Sequence, residues 1–150
     1  LTKQQYEAVL HMALKTDCDY FEFTIRHDID FKEDYSYSYN PQTYQLIDEL
    51  SKFLVEVEKT NRWGTSIVMR YEIVADVYRF KLNSASLEIL LKYSSKISDW
   101  CGPTLSEDIA FFRGKNMWMG TVGHETMIFW HLTDAEYEEI TSFGIDLWKG

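Results

Sequence analysis

Residues 109–132, IAFFRGKNMWMGTVGHETMIFWHL, indicate how the last third of this chain folds. Three runs rich in aromatic and β-branched residues, IAFF, MWMGTV and MIFWHL, are separated by RGKN and GHET, and loops of this length are typical of β-hairpins. A two- or four-residue turn around 123–126 pairs even-numbered residues of the second run with odd-numbered residues of the third. Gly120 then falls opposite or near Phe129. The sequence therefore predicts a three-stranded antiparallel meander.

The same parity divides the meander into two faces, both of them apolar. One face carries Ile109, Phe111, Trp118, Val122, Met127, Phe129 and His131, and the other carries Ala110, Phe112, Met117, Met119, Thr121, Ile128, Trp130 and Leu132. An antiparallel sheet with one face in water alternates apolar with polar residues instead. Either helices cover both faces, or helices cover one face and a partner or a second subunit covers the other.

Capping motifs and apolar spacing predict the helices. Thr2 with Gln5 and Thr133 with Glu136 stand at capping-box spacing, so a helix from about Lys3 to Leu14 and another after Thr133 are expected. Ser84 or Ser86 is expected to cap a short helix that runs to Tyr93. The longest helix is predicted from about 42 to 59, because apolar residues recur there every three or four positions: Tyr44, Ile47, Leu50, Leu54 and Val57.

Alternation of apolar and polar residues predicts further strands at 19–27 (DYFEFTIRH), 35–39 (YSYSY), 66–74 (SIVMRYEIV) and 77–83 (VYRFKLN). No linker, repeat or low-complexity tract interrupts the chain. The sequence thus predicts a single α+β domain over residues 1–150, with an antiparallel sheet of five to seven strands and three or four helices.

The pair His124-Glu125 resembles the start of the zinc-protease motif H-E-x-x-H, but Ile128 occupies the position of the second histidine. On the predicted hairpin His124 and His131 lie at opposite ends, roughly 13 Å apart at ~3.4 Å per residue. Zn–N bonds of about 2 Å cannot join them. The acidic run from Asp28 lacks the glycine of a calcium-binding loop. The sequence also lacks GxSxG, GxxxxGK[ST] and GxGxxG motifs, and we predict neither a metal nor a cofactor.

Cys18 and Cys101 have no CxxC spacing and read as free thiols in a reducing compartment. Cys101 is nevertheless a candidate nucleophile, with His124 or His131 as its base and Asp108 orienting the histidine. The segment LSED at 105–108 reads as a turn before a strand. A small Cys/His-dependent hydrolase or transferase is therefore one functional hypothesis.

The net charge of −9 is concentrated in two segments. Residues 17–34 hold seven acids and two bases, and residues 133–150 hold five acids and one lysine. Phosphate binding needs clustered Lys and Arg, so nucleic acid is disfavoured and a basic protein partner is favoured. Tyrosines beside carboxylates suit a Lys/Arg-rich partner. The predicted partner surface consists of Asp28, Asp30, Glu33, Asp34, Tyr35, Tyr37 and Tyr39.

These observations favour a non-enzymatic acidic binding module, either an adaptor or an inhibitor of the immunity-protein type. The Cys/His enzyme and a structural homodimer that buries the second meander face are the alternatives. No apolar run approaches the ~18 residues of a membrane span, and the opening LTKQQ lacks the features of a signal peptide. We therefore expect a cytoplasmic protein that does not bind membranes.

Overall fold

The computed structural model describes residues 1–28 and 39–147, and these contain four α-helices and eight strands. The helices are α1 (Lys3–Lys15), α2 (Pro41–Glu49), α3 (Ser84–Tyr93) and α4 (Asp134–Ser142). The strands are β1 (Tyr20–Arg26), β2 (Leu54–Thr60), β3 (Arg62–Trp63), β4 (Ser66–Ile67), β5 (Ala75–Lys81), β6 (Glu107–Arg113), β7 (Asn116–Val122) and β8 (Met127–Trp130).

Six of the strands form one antiparallel sheet in the order β2-β5-β1-β6-β7-β8, and β3 pairs with β4 in a separate hairpin. The helices pack on the sheet face that carries the rings of Phe21, Phe23, Phe80 and Phe111, all fully buried. Phe21 stacks on Phe80 with ring centroids 5.2 Å apart. The architecture is the single α+β domain that the sequence predicts, including the C-terminal meander β6-β7-β8.

Capping interactions begin the helices largely where the sequence predicts them. In α1 the Thr2 hydroxyl accepts the Gln5 amide at 3.1 Å, and the Gln5 side chain accepts the Thr2 amide at 2.8 Å. Thr133 and Glu136 form the same box at α4. The expected cap of α3 by Ser84 or Ser86 is wrong, because Asn83 is the N-cap and its side-chain oxygen accepts the Ser86 amide.

The predicted helix over 42–59 is half wrong. Helix α2 ends at Glu49, a single 3₁₀ turn follows, and the chain then forms strand β2, which pairs with β5 from Leu54↔Phe80 to Thr60↔Ala75. Leu54 and Val57 fit a helical period by spacing. However, β-branched valines suit a strand, and the hydrogen bonds to β5 outweigh the local helical preference.

The predicted strand over 66–74 is also mostly wrong. Only Ser66–Ile67 pairs, with Arg62–Trp63, and residues 68–74 form a loop. The side chain of Asn61 holds this loop by donating to the backbone oxygens of Arg70 and Glu72 and by accepting the Val74 amide at 2.8 Å. Three side-chain hydrogen bonds therefore replace the expected ladder. The predicted strand over 35–39 lies outside the described residues except for Tyr39.

The meander is confirmed, and so is the pairing of Gly120 with Phe129. Its predicted division into faces is wrong in part, because a β-bulge in β7 leaves Trp118 between the pairs Phe111↔Met119 and Phe112↔Met117. Trp118 and Met119 are both buried in the core with Phe111. Met127 and Phe129, predicted on the face of Phe111, are more than 40% exposed. One extra residue in a strand reverses the parity of everything paired beyond it.

The second face of the sheet is covered at its centre by the β3-β4 hairpin. Trp63 packs with Ala75, Val77 and Val68 there, and the Thr65 hydroxyl donates to the Thr121 oxygen at 2.8 Å. At the centre of this face the chain's own hairpin lies where a partner or second subunit was expected. The apolar character of the centre reflects intramolecular packing.

Candidate functional site

A cluster of buried polar groups lies where β1 ends and β6 begins. Glu107 is 4% exposed, and its side chain accepts hydrogen bonds from the Gly102 amide at 2.9 Å and from the Tyr39 hydroxyl at 3.2 Å. The Tyr39 oxygen in turn accepts the Arg26 amide at 2.9 Å. The network fixes the backbone of the turn at 101–104 against the end of β1.

Asp108 connects two further parts of the chain. Its carboxylate accepts the indole N–H of Trp63 and the amide of Gly123, each at 2.9 Å. Trp63 belongs to the β3-β4 hairpin, and Gly123 begins the 3₁₀ turn between β7 and β8. The prediction of a turn at LSED is therefore wrong at its last two residues. Glu107 and Asp108 begin strand β6 and are both buried.

The electrostatics of this cluster disfavour a reactive thiol. Burial, together with the nearby carboxylates of Glu107 and Asp108, raises the pKa of Cys101 to about 11. The thiolate is the nucleophilic form, so at neutral pH Cys101 stays protonated and weakly reactive. Its thiol donates to the Gly102 oxygen at 3.3 Å.

The expected bases are engaged elsewhere. His124 is exposed and lies 3.7 Å from a Glu125 carboxylate oxygen, and His131 Nδ1 is 2.9 Å from the Met117 backbone oxygen. Within residues 1–28 and 39–147, no hydrogen bond joins either imidazole to Cys101. Asp108, the expected orienting group, binds Trp63 and Gly123 instead. The geometry therefore gives the Cys/His hypothesis no support.

Replacing Glu107 with glutamine is expected to stabilise the protein at neutral pH by on the order of 1 kcal/mol. Burial raises the pKa of Glu107, with Asp108 adding to the effect and the Gly102 amide opposing it. The folded protein then binds this proton more tightly than the unfolded chain, so stability falls as pH rises from the usual glutamate range through the raised pKa. Glutamine keeps an acceptor for Gly102 and Tyr39 but never ionises.

Urea unfolding of both proteins at about pH 4 and about pH 8, either side of the glutamate range, measures this effect. The gain should be present at the higher pH and vanish at the lower one. An equal gain at both pH values would show that the charge of Glu107 has no part in it.

The predicted acidic partner surface begins at Asp28, which the structure describes, whereas Asp30, Glu33, Asp34, Tyr35 and Tyr37 lie outside the described residues. Arg26 binds Asp28 through two hydrogen bonds, at 2.8 and 2.9 Å, and Arg70 lies 3.4 Å away. Burial alone would raise the pKa of Asp28, but the Arg26 guanidinium holds this pKa below its usual value. Asp28 is therefore already neutralised by the chain's own arginines.

Other residues of the predicted surface are also engaged internally. Tyr39 is 4% exposed and contacts Glu107, so its expected role in an exposed tyrosine surface is wrong. In the acidic segment 133–150, Glu136 is buried and accepts a hydrogen bond from Arg113 at 2.5 Å and one from the Trp118 indole. Glu139 binds Lys15 at 2.6 Å. Fewer carboxylates are available to a partner than the sequence suggests.

Among the described residues, the most exposed large apolar side chains lie in residues 67–73, which we call the exposed loop. Met69 and Tyr71 are 90% and 105% exposed, and Ile67 and Ile73 are each more than half exposed. The hydrogen bonds from Asn61 and the Arg70–Asp28 ion pair hold the backbone that presents them. The apolar residues that alternate along 66–74 are the sequence signal for this surface, although the same pattern predicts a strand.

Among the described residues, no group of three or more His, Cys, Asp or Glu side chains is arranged to hold a metal ion. No helix in the same ranges is both long enough and apolar enough to cross a bilayer. Comparison with protein families, with curated proteins and with solved structures gives no significant match.

Proposed function

We propose that this chain is a cytoplasmic protein-binding module, an adaptor or an inhibitor, that engages a basic protein partner. The observation that carries the proposal is the exposed loop, where four large apolar side chains face solvent beside the start of the acidic run at Asp28. Large exposed apolar patches on monomeric proteins often mark interaction sites. Tyrosine and methionine are also enriched at the cores of protein interfaces.

The net charge supports a basic partner over a second copy of the chain. At −9, two copies meeting through the acidic run would repel one another, whereas a cationic protein would be attracted over a distance. The loop would supply apolar contact area, and the acidic run would supply steering. The free, protonated thiols Cys18 and Cys101 are compatible with the proposed reducing location.

The test is capture of a basic protein from a lysate of the chain's own host, at low and at high salt. The variant Met69→Ala/Tyr71→Ala is expected to weaken capture at least about tenfold, since truncated anchor residues typically cost more than 1 kcal/mol each. Both side chains are exposed, so the fold should be unaffected. Size-exclusion and sedimentation profiles should match those of the parent protein.

A second variant, Asp30→Lys/Glu33→Lys/Asp34→Lys, tests the charge. Asp28 is left in place, because a lysine there would face Arg26 and Arg70. The matched control reverses three exposed glutamates elsewhere: Glu88, Glu125 and Glu138. Loss of capture in the first triple variant and retention in the control support the proposal. Capture of no basic protein, capture that survives both the loop and the charge variants, or concentration-dependent dimerisation lost in the loop variant would contradict it.

A further inference from the structure

Strand β2 lies at one edge of the six-stranded sheet. It pairs with β5, and no described strand lies beyond it. Six of its seven residues are exposed, including the apolar side chains of Leu54, Val55 and Val57. The outward N–H and C=O groups of such a strand are a template on which another strand can form.

The strand carries little of the protection usual at sheet edges. Natural edges are blocked by proline, by lysine, by bulges or by a covering segment. Strand β2 has no proline, and its bulge lies near Val55 at one end. Its single lysine, Lys59, donates to Asp76 at 3.1 Å on the neighbouring strand β5. Residues 56–60 therefore form a regular and accessible edge.

The two sides of this edge differ in chemistry. Leu54 and Val57 pair with Phe80 and Tyr78, on the face that the helices cover. Glu56 and Glu58 pair with Arg79 and Val77, on the opposite face. No ion pair within the described ranges involves Glu56 or Glu58. Arg79, the nearest paired cation, lies 3.8 Å from the Glu22 carboxylate and also donates to the Gly114 backbone oxygen.

The glutamates leave an excess of negative charge on that face. Burial raises the pKa of Glu22, and the charges of Glu58 and Glu56 raise it further, although the Gly64 amide and Arg79 oppose them. The carboxylates of Glu22, Glu56 and Glu58 thus lie near a single arginine, Arg79. A cation brought alongside β2 would relieve repulsion that already exists within the fold.

Pairing of β2 with a second copy is disfavoured by the same charges. Two β2 strands that pair side by side in a symmetric dimer are related by a two-fold axis. The residue on this axis lies opposite the same residue of the second copy. If Val57 is on the axis, Glu56 of each copy lies opposite Glu58 of the other; if Glu56 or Glu58 is on the axis, that glutamate lies opposite its own copy. Like charges directly opposite one another destabilise a strand pair. An axis at Val55 falls on the bulge.

We propose that the outer edge of β2 takes up an extended segment of a partner protein, which adds a seventh strand to the sheet. The segment carries Lys or Arg at alternate positions, opposite Glu56 and Glu58, and apolar residues between them, beside Leu54 and Val57. Backbone hydrogen bonds supply affinity in this mode, and the alternating side chains supply specificity. This surface uses residues separate from the exposed loop, so it stands independently of the function proposed above.

The probe is a synthetic peptide of alternating lysine and valine, with a block peptide of the same composition and an alternating glutamate-valine peptide as controls. The protein variant is Glu56→Lys/Glu58→Lys, and its matched control is Glu88→Lys/Glu138→Lys, which makes the same change in net charge. Fluorescence anisotropy measures affinity, and amide hydrogen exchange shows whether β2 is the strand that becomes protected.

The alternating Lys-Val peptide is expected to bind the parent and the control variant, to slow exchange of β2 amides, and to lose at least about tenfold in affinity for Glu56→Lys/Glu58→Lys. The glutamate-valine peptide should prefer that reversed variant. Absence of binding, equal binding of the block peptide, or binding without protection of β2 would overturn the proposal. Met69→Ala/Tyr71→Ala should leave peptide binding unchanged, so failure here and failure of the proposed function are distinguishable.

Discussion

Replacing Trp100 with alanine is expected to lower the free energy of unfolding by about 4 kcal/mol. The side chain is fully buried and lies against Phe23, with ring centroids 5.7 Å apart. Its indole N–H donates to the Tyr6 hydroxyl at 2.9 Å, and Tyr6 lies 2.5 Å from the Ser94 hydroxyl. The substitution removes a large apolar group and leaves a cavity among α1, β1 and the segment after α3. Urea denaturation followed by far-UV circular dichroism measures the loss.

The conservative change Trp100→Phe separates packing from hydrogen bonding. It keeps an aromatic ring near Phe23 but removes the donor to Tyr6, so a loss of about 1 kcal/mol is expected. Ser94 donates to the Leu90 oxygen, which leaves the Tyr6 hydroxyl to donate to Ser94 in both proteins. Equal losses for alanine and phenylalanine would show that the hydrogen bond, and not ring burial, dominates.

Replacing Gly123 with alanine is expected to destabilise the fold by about 3 kcal/mol or more, by overpacking. A β-carbon at this position would lie 1.8 Å from the backbone oxygen of Trp100. That oxygen accepts the Asp108 amide, and Asp108 in turn accepts the Gly123 amide, so the backbone cannot move aside without breaking both bonds. Thermal and urea unfolding of the variant measure the effect.

Gly114 supplies the control for this substitution. It adopts a left-handed conformation with φ of +57°, but a β-carbon there meets nothing within 4 Å. Gly114→Ala should therefore cost only about 1 kcal/mol, from the left-handed backbone alone. If Gly123→Ala is no more harmful than Gly114→Ala, the turn after β7 is free to move away from Trp100, and the close contact has no energetic weight.

The Gly123 contact could not be predicted from the sequence, although the hairpin that contains it was. Strand runs and loop lengths within 109–132 are local signals, and they correctly gave the meander and the Gly120–Phe129 pair. The approach of Gly123 to Trp100 joins residues that are distant in the sequence. Nothing near either residue indicates it. The same holds for the burial of Glu107 and Asp108, whose hydrogen-bond partners come from 39, 63, 102 and 123.

The errors also have a common physical origin. The 3.6-residue spacing through Leu54 and Val57 is real, but pairing with β5 decides that these residues form a strand. The alternation in 66–74 is also real, but the Asn61 side chain forms hydrogen bonds with the backbone of this segment, and the alternate apolar side chains remain in solvent. In both cases a tertiary interaction satisfied the backbone hydrogen bonds in a way that local periodicity does not encode.

Capping boxes, alternation and turn lengths act over a few residues, so the α+β class, the capped helices α1 and α4, strands β1 and β5 and the meander can be predicted from the sequence. Which apolar and acidic residues remain accessible depends on how distant segments pack together. This packing neutralised Asp28 and Glu136 with arginines, buried Tyr39, and left the exposed loop and the edge of β2 open. The accessibility of a side chain depends on which residues pack against it, and long-range packing of the sheet determines those neighbours.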